Sequence, residues 1–155
     1  MYEKITILVI EDDEFVREIT LRFLIHQGFT TIGAENGEVG IELIRQLLPE
    51  VILCDINMLR LNGFEVLKRV RQDPATANTP FIFLTANTSE EDIAYGLALG
   101  ADCYLKKANH TCWILRGESL PNLNNVFYSG DYYLLDQSND SLPYKIVSIS
   151  YPISS

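Results

Sequence analysis

The chain has 155 residues, 47% hydrophobic and 21% charged, which is enough for one domain with a real core but not for two ordinary domains. Its formal net charge of −9 argues against a nucleic-acid-binding surface of its own, because phosphate contacts need clustered Lys and Arg. No apolar stretch approaches the roughly 20 residues of a membrane span. Because the first residues lead directly into a predicted strand, we expect no signal peptide. The three cysteines form no paired framework, so we expect a cytoplasmic protein.

Short apolar runs alternate with helix-like segments through residue 107. The predicted strands cover residues 4–10, 29–34, 51–54, 81–84 and 101–105. The predicted helices cover residues 13–27, the segment from the cap Asn36 to the breaker Pro49, residues 64–72, and the segment from Ser89 to about Gly100. Uninterrupted apolar runs separated by helices are typical of buried parallel strands. The alternation therefore predicts a parallel α/β domain with right-handed crossovers.

The pattern changes after Lys107, where a fifth helix would be needed to cover the last strand. Residues 108–117 offer only about two turns of weak helix formers, in which residues 113–115 could dock as a helical turn. The rest of the chain is rich in Ser, Asn and Tyr, with strand-like segments at 126–128, 132–135 and 144–149. We therefore expect a domain over residues 1–107 and an atypical tail over 108–155. The tail is either the product of a coding-frame disruption, poorly ordered beyond about residue 120, or a short β-rich extension.

Five polar residues stand where apolar runs end: Glu11, Asp12, Asp55, Thr85 and Lys107. In an open parallel sheet the carboxyl ends of the strands meet at one edge, so these side chains should converge. Three carboxylates in one crevice repel one another unless a cation lies among them. Oxygen ligands with solvent access suit Mg²⁺, which also shares phosphate oxygens with a substrate. The set predicts a magnesium site beside a phosphoryl group.

Four blocks of the sequence, in this order, resemble a response-regulator receiver domain. They are residues 7–13, then Asp55 with Met58 and Gly63, then residues 84–86, and finally residues 100–107. The resemblance implies a flavodoxin-like, doubly wound five-stranded parallel sheet of order 2-1-3-4-5. The tail would replace or degrade the fifth helix of that fold.

The resemblance also implies a role for each acidic residue. Asp12 and Asp55 would bind the metal through carboxylate oxygens, Asn57 through its backbone carbonyl, and Glu11 mainly through water. Asp55 would be the nucleophile that takes a phosphoryl group as an acyl phosphate. Asp13 begins the first helix, where an acid complements the helix dipole, and we assign it no catalytic role.

Three further residues are implied in phosphoryl binding and switching. Lys107, rather than Lys106, would supply a positive charge, and Thr85 would donate its hydroxyl to a phosphoryl oxygen. Tyr104 resembles the switch aromatic of the family, and a half-buried strand tyrosine is the alternative. Ala108 stands where the family has a cis-proline, and we expect a trans bond, because a cis bond to another residue costs about 2.5–4 kcal/mol.

The leading functional hypothesis is a receiver that accepts phosphate from a histidine kinase or phosphotransfer protein. It would be no enzyme beyond its own phosphorylation and dephosphorylation, and would signal to a downstream protein by contact, without nucleic acid or membrane. The alternative is a non-switching interaction module, because the fifth helix is missing and the family proline after Lys107 is lost; Leu59 stands in place of a second family proline. A phosphatase of the haloacid-dehalogenase type is disfavoured, because Asn57 stands where it would carry a second acid.

Overall fold

The computed structural model describes residues 5–26, 28–85, 89–106, 112–116, 133–136 and 144–150. Its centre is a parallel sheet of five strands: β1 (Thr6–Ile10), β2 (Thr30–Ala34), β3 (Val51–Asp55), β4 (Phe81–Thr85) and β5 (Cys103–Lys106). These strands lie in the order 2-1-3-4-5, and each neighbouring pair is parallel. The predicted flavodoxin-like α/β fold is therefore confirmed.

Four helices connect the parallel strands: α1 (Glu14–His26), α2 (Gly37–Leu47), α3 (Gly63–Gln72) and α4 (Glu90–Leu99). Asn36 and Ser89 cap α2 and α4 as predicted, because their side-chain oxygens accept backbone N–H groups three residues later, at 2.8 and 3.1 Å. Gly100 ends α4 with a φ of 104°, a left-handed conformation that favours glycine. Among the described residues, no helix is long and apolar enough to cross a membrane.

The strands bury apolar side chains on both faces of the sheet. On one face, alternate residues such as Leu8, Ile52 and Phe83 join a core with α2, α3 and α4. On the other, residues such as Val9 and Ile82 form a second cluster with α1. Because side chains alternate along a strand, this double burial explains the continuous apolar runs. Each large side chain so buried contributes roughly 1.5–3 kcal/mol.

Beyond β5 the sheet continues with antiparallel strands rather than a helix. β6 (Cys112–Arg116) pairs with β5, β8 (Tyr144–Ser150) pairs with β6, and β7 (Tyr133–Asp136) pairs with β8. The expected helical turn at residues 113–115 is therefore wrong. Trp and Ile favour strands, and the edge of β5 offers backbone groups to pair with. The strand-like segment at 126–128 lies outside the described residues, and the division of the chain at residue 107 stays a prediction.

Candidate functional site

Three carboxylates meet at the carboxyl edge of the sheet. Glu11 and Asp12 follow β1, and Asp55 ends the neighbouring strand β3, whose register pairs Ile10 with Cys54. One carboxylate oxygen from each of the three acids lies within 4.8 Å of the other two. Glu11 is fully buried and Asp55 is 4% exposed, whereas Asp12 is open to solvent. The structure thus brings together the three acids that the sequence placed at one edge.

The turn between β1 and α1 holds Glu11 at several points. Its backbone N–H donates to the carbonyl of Ala34 at 3.0 Å, and Arg17 Nη1 donates to the Glu11 carbonyl at 2.8 Å. The N–H of Asp13 donates to Glu11 Oε1 at 3.2 Å. Arg17 is a site-supporting residue that sequence reasoning missed, because a single Arg in the second turn of a helix gives no signal of its own.

Asp13 has the structural position expected of it. Its Oδ1 accepts the backbone N–H of Val16 at 3.0 Å, which caps the first turn of α1. Its carboxylate is therefore used by the helix, and the metal-ligating group of the described chain does not include it.

The loop after β3 is closed by a glycine. Gly63 donates its N–H to the Ile56 carbonyl at 2.9 Å, and a Cβ at Gly63 would overlap the carbonyl oxygen of Asp55. Asn57 lies exposed in this loop, two residues after Asp55. Leu59, at the position of the missing proline, is 84% exposed. Any larger residue at position 63 would displace the backbone that carries the candidate nucleophile.

The remaining predicted site residues are described only in part. Thr85 is the last residue of β4, one position beyond Leu84, which pairs with Asp55. Its backbone is therefore at the same sheet edge as the acidic cluster. Thr85 pairs with Lys106, the last residue of β5. Lys107 and its bond to Ala108 lie outside the described residues.

Tyr104 is turned inward beneath α4 and is 1% exposed, which is deeper than the half-buried position of the alternative, and its switch role stays a prediction. Its hydroxyl donates to the Asp92 carbonyl at 2.8 Å, and its ring packs against Phe83 with centroids 5.1 Å apart. Burial, and then the Asp92 carboxylate, raise the pKa of the hydroxyl well above its ordinary value. The side chain is therefore a neutral hydrogen-bond donor near pH 7.

The donor set of the cluster fits a hard divalent cation. All three side chains offer carboxylate oxygens, which Mg²⁺ prefers, and the exposed Asp12 leaves the site open to the waters that Mg²⁺ retains. Three negative charges in so small a space also favour a cation over an anion.

Comparison with known proteins agrees with this geometry. The sequence model of the response regulator receiver domain family matches residues 7–114. Transcriptional regulatory protein AfsQ1 of Streptomyces coelicolor is 37% identical over 102 residues, which are 66% of this chain and 44% of that protein. Transcriptional regulatory protein CpxR of Escherichia coli K12 is 40% identical over 101 residues, 65% of this chain and 42% of that protein. The crystallised chemotaxis protein CheY4 of Vibrio cholerae superposes with a TM-score of 0.67 at 29% identity, covering 70% of this chain and 90% of that one.

The chain spans less than half the length of these curated relatives, whose names describe transcriptional regulation. The expectation that no nucleic acid is involved therefore finds no support in the comparisons. The net charge of −9 describes this chain's own surface and says nothing of a longer protein that contains such a domain.

Proposed function

Because this chain belongs to the response regulator receiver domain family, we propose that it is a phosphoacceptor signalling domain in which Asp55 takes a phosphoryl group from a histidine kinase or phosphotransfer protein. The observation that carries the proposal is the position of Asp55, at the end of β3 and grouped with Glu11 and Asp12. A single aspartate at a strand end would be an ordinary loop acid, whereas three clustered carboxylates suit metal-assisted phosphoryl transfer.

In this proposal Asp12 and Asp55 would hold Mg²⁺ through carboxylate oxygens, Asn57 through its backbone carbonyl, and Glu11 through water. Mg²⁺ bound there would neutralise the negative charge that develops on the transferred group. Thr85 binds one phosphoryl oxygen through its hydroxyl, and Lys107 binds another through its ammonium group.

The group transfer itself is a substitution at phosphorus. A carboxylate oxygen of Asp55 forms a bond to phosphorus while the bond from phosphorus to the donor's imidazole nitrogen breaks, and the electron pair leaves with that nitrogen. The product is an acyl phosphate. Attack of water on its phosphorus later returns the carboxylate and inorganic phosphate. The chain is thus a phosphoacceptor rather than a classical enzyme.

An exposed apolar stripe on α1 supports docking of a donor protein beside the acidic cluster. Phe15 is 73% exposed and Ile19 is 52% exposed. Four residues apart, they lie on one face of the helix, shortly after Asp12. An apolar stripe of this kind suits the packing of a partner helix.

We place the domain in the cytoplasm with its donor. Its output goes either to a protein partner or through a further domain of a longer transcriptional regulator.

Phosphorylation by a small donor tests the proposal. We expect acetyl phosphate with Mg²⁺ to add the mass of one phosphoryl group to the wild-type protein, and EDTA to prevent it. Asp55→Asn should add none, while Asp13→Asn, an acid two residues from Glu11 that caps α1, should be labelled at the wild-type rate.

Two outcomes would overturn the assignment. Labelling of Asp55→Asn at the wild-type rate would remove Asp55 from the site. A folded wild-type protein that binds Mg²⁺ but takes no phosphate would favour the non-switching interaction module instead.

A further inference from the structure

Arg17 holds the two backbone carbonyl groups that flank Asp12 in the chain. Its side-chain Nη1 donates to the carbonyl of Glu11 at 2.8 Å, and its backbone N–H donates to the carbonyl of Asp13 at 2.9 Å. Asp12, the exposed member of the acidic cluster, lies between these two anchored groups. One residue of α1 therefore fixes the backbone on both sides of a candidate metal ligand.

Gly33 of β2 leaves room for the stem of the Arg17 side chain. Gly33 pairs with Val9 of β1, and a Cβ at position 33 would lie 3.4 Å from Arg17 Cδ and 3.0 Å from Leu21 Cδ1. Gly33 does not have a left-handed φ, so its own backbone conformation does not require a glycine. A glycine inside a strand weakens the strand and often marks a close approach of other groups. The close approach of α1 supplies the reason for this one.

The charge and the hydrogen bond of Arg17 act on a bound cation in opposite directions. A positive charge beside three carboxylates repels Mg²⁺, so removal of the charge alone would tighten Mg²⁺ binding. A hydrogen bond that fixes the backbone next to a ligand strengthens metal binding, and removal of such an outer partner typically weakens metal affinity about 10–100-fold. Arg17 is only partly buried, so solvent and salt screen its charge, and we expect loss of the hydrogen bond to have the larger effect.

We propose that Arg17 is a positioning residue for the metal site: its guanidinium group, which reaches the Glu11 carbonyl with its stem packed against Gly33, fixes the turn of residues 11–13 and so raises the affinity of the acidic cluster for Mg²⁺. Arg17 acts through the Glu11 carbonyl and binds neither the metal nor the phosphoryl group. The positional half of this proposal, which is the hydrogen bond and the space at Gly33, is independent of the metal. The affinity half rests on the proposed function.

The sign of the change in Mg²⁺ affinity tests the affinity half. Arg17→Met keeps an unbranched stem and removes both the donor and the charge, and it should raise the Kd for Mg²⁺, measured by NMR titration of the metal-free protein, roughly tenfold or more. Arg22→Met is the matched control, because Arg22 is an exposed arginine of the same helix and its loss changes the net charge equally. Its Kd should stay within about twofold of that of the wild type. A Kd of Arg17→Met equal to or below the wild-type value would overturn the proposal.

Gly33→Val separates the space at Gly33 from general stability. Valine favours strands, but its side chain would occupy the space of the Arg17 stem. The change should raise the Kd for Mg²⁺ in the wild-type background and leave it unchanged in the Arg17→Met background, where the hydrogen bond is already absent. An equal rise in both backgrounds would show that Gly33 acts without Arg17. If Arg17→Met does not fold, Gly33→Val decides by itself: a raised Kd supports the proposal and an unchanged Kd refutes it.

The carbonyl ¹³C resonance of Glu11, recorded in EDTA, tests the positional half without the metal. It should shift in Arg17→Met and in Gly33→Val, because the carbonyl loses a charged donor, and it should stay in place in Arg22→Met. An unshifted resonance in Arg17→Met would refute the hydrogen bond. If the wild type binds no Mg²⁺, the metal site of the proposed function fails and the affinity half fails with it, whereas this resonance still decides the positional half.

Discussion

Mutual repulsion in the acidic cluster should destabilise the metal-free protein, and Asp12 offers the clearest test. Its carboxylate lies within 4.8 Å of those of Glu11 and Asp55, measured between one oxygen of each. At that distance a like-charged pair repels by about 0.9 kcal/mol in water and about 3.5 kcal/mol at an effective dielectric constant of about 20. Because Asp12 is exposed, the lower figure applies to each of its pairs. Asp12→Asn should therefore raise the unfolding free energy in EDTA by about 1–2 kcal/mol.

Mg²⁺ should reverse the order of stability. At a hundred times Kd, a cation that binds only the folded state adds about 2.7 kcal/mol to the unfolding free energy. Wild type should gain this amount, and Asp12→Asn should gain little, because it has lost a ligand and a negative charge. Asp13→Asn is the matched control: it changes the net charge equally, and asparagine caps a helix about as well as aspartate.

Urea unfolding followed by circular dichroism measures both quantities, in EDTA and along a Mg²⁺ titration at constant ionic strength. Equal stabilities of Asp12→Asn and Asp13→Asn in EDTA would show that the cluster carries no significant repulsion. A full Mg²⁺ response in Asp12→Asn would remove Asp12 from the metal site.

Three further predictions concern the frame around the site. Arg71 donates to two backbone carbonyls and pairs with Asp102 at 3.0 Å. Arg71→Ala should therefore lower the free energy of unfolding, measured in urea, by about 2–4 kcal/mol. The control Arg69→Ala, at an exposed position, should lower it by less than about 0.5 kcal/mol. The raised pKa of Tyr104 means that the folded state holds this proton more tightly than the unfolded state. The stability that this tighter proton binding provides should be complete below the ordinary pKa of 10.0 and should fall at higher pH. In thermal melts above pH 10.0, the Tm of Tyr104→Phe should therefore fall less steeply with pH than the Tm of the wild type. A shortened protein that ends at Arg116 should bind Mg²⁺ with a Kd within about twofold of that of the full chain, because the three acids and both core clusters of the described residues lie before residue 116. Loss of Mg²⁺ binding would show that the tail is an integral part of the domain.

The parallel part of the fold could be predicted because its signals are local. Each central strand is an uninterrupted apolar run, and helices between them begin at recognisable caps such as Asn36 and Ser89. Convergence of the three acids followed from the geometry of parallel sheets, since Glu11 directly follows β1 and Asp55 ends the neighbouring strand β3. The strand order came from the resemblance to the family rather than from periodicity.

The contacts between distant segments could not be predicted in this way. Arg71 donates a hydrogen bond to the carbonyl of Gly100, which lies 29 residues later in the sequence, and no local sequence pattern predicts that partner. Nothing in the sequence of α4 marks Gly96, where a Cβ would overlap the Tyr104 hydroxyl. The short apolar run at 113–115 was compatible with a strand or a helical turn, because three residues are too few to show a period.

The location of exposed apolar surface is the most informative departure from expectation. Without a fifth helix, we expect exposed apolar side chains on the sheet near the first and fifth strands. Among the described side chains of this face, Val9 of β1 and Leu84 of β4 are 0% and 4% exposed, and the β5 side chains at 103 and 105 lie outside the description. Several of the exposed large apolar side chains of the described residues lie on α1, where Phe15, Ile19 and Ile25 are 73%, 52% and 58% exposed. Burial of the sheet stabilises the strands that lead to the acids, while exposed apolar side chains such as those of α1 are typical of protein interaction sites. A protein donor that docks on α1 would therefore contact side chains that do not pack in the core. Substitution of Phe15 or Ile19 by a polar residue should lower the rate of phosphotransfer from a protein donor and leave the rate of labelling by acetyl phosphate unchanged.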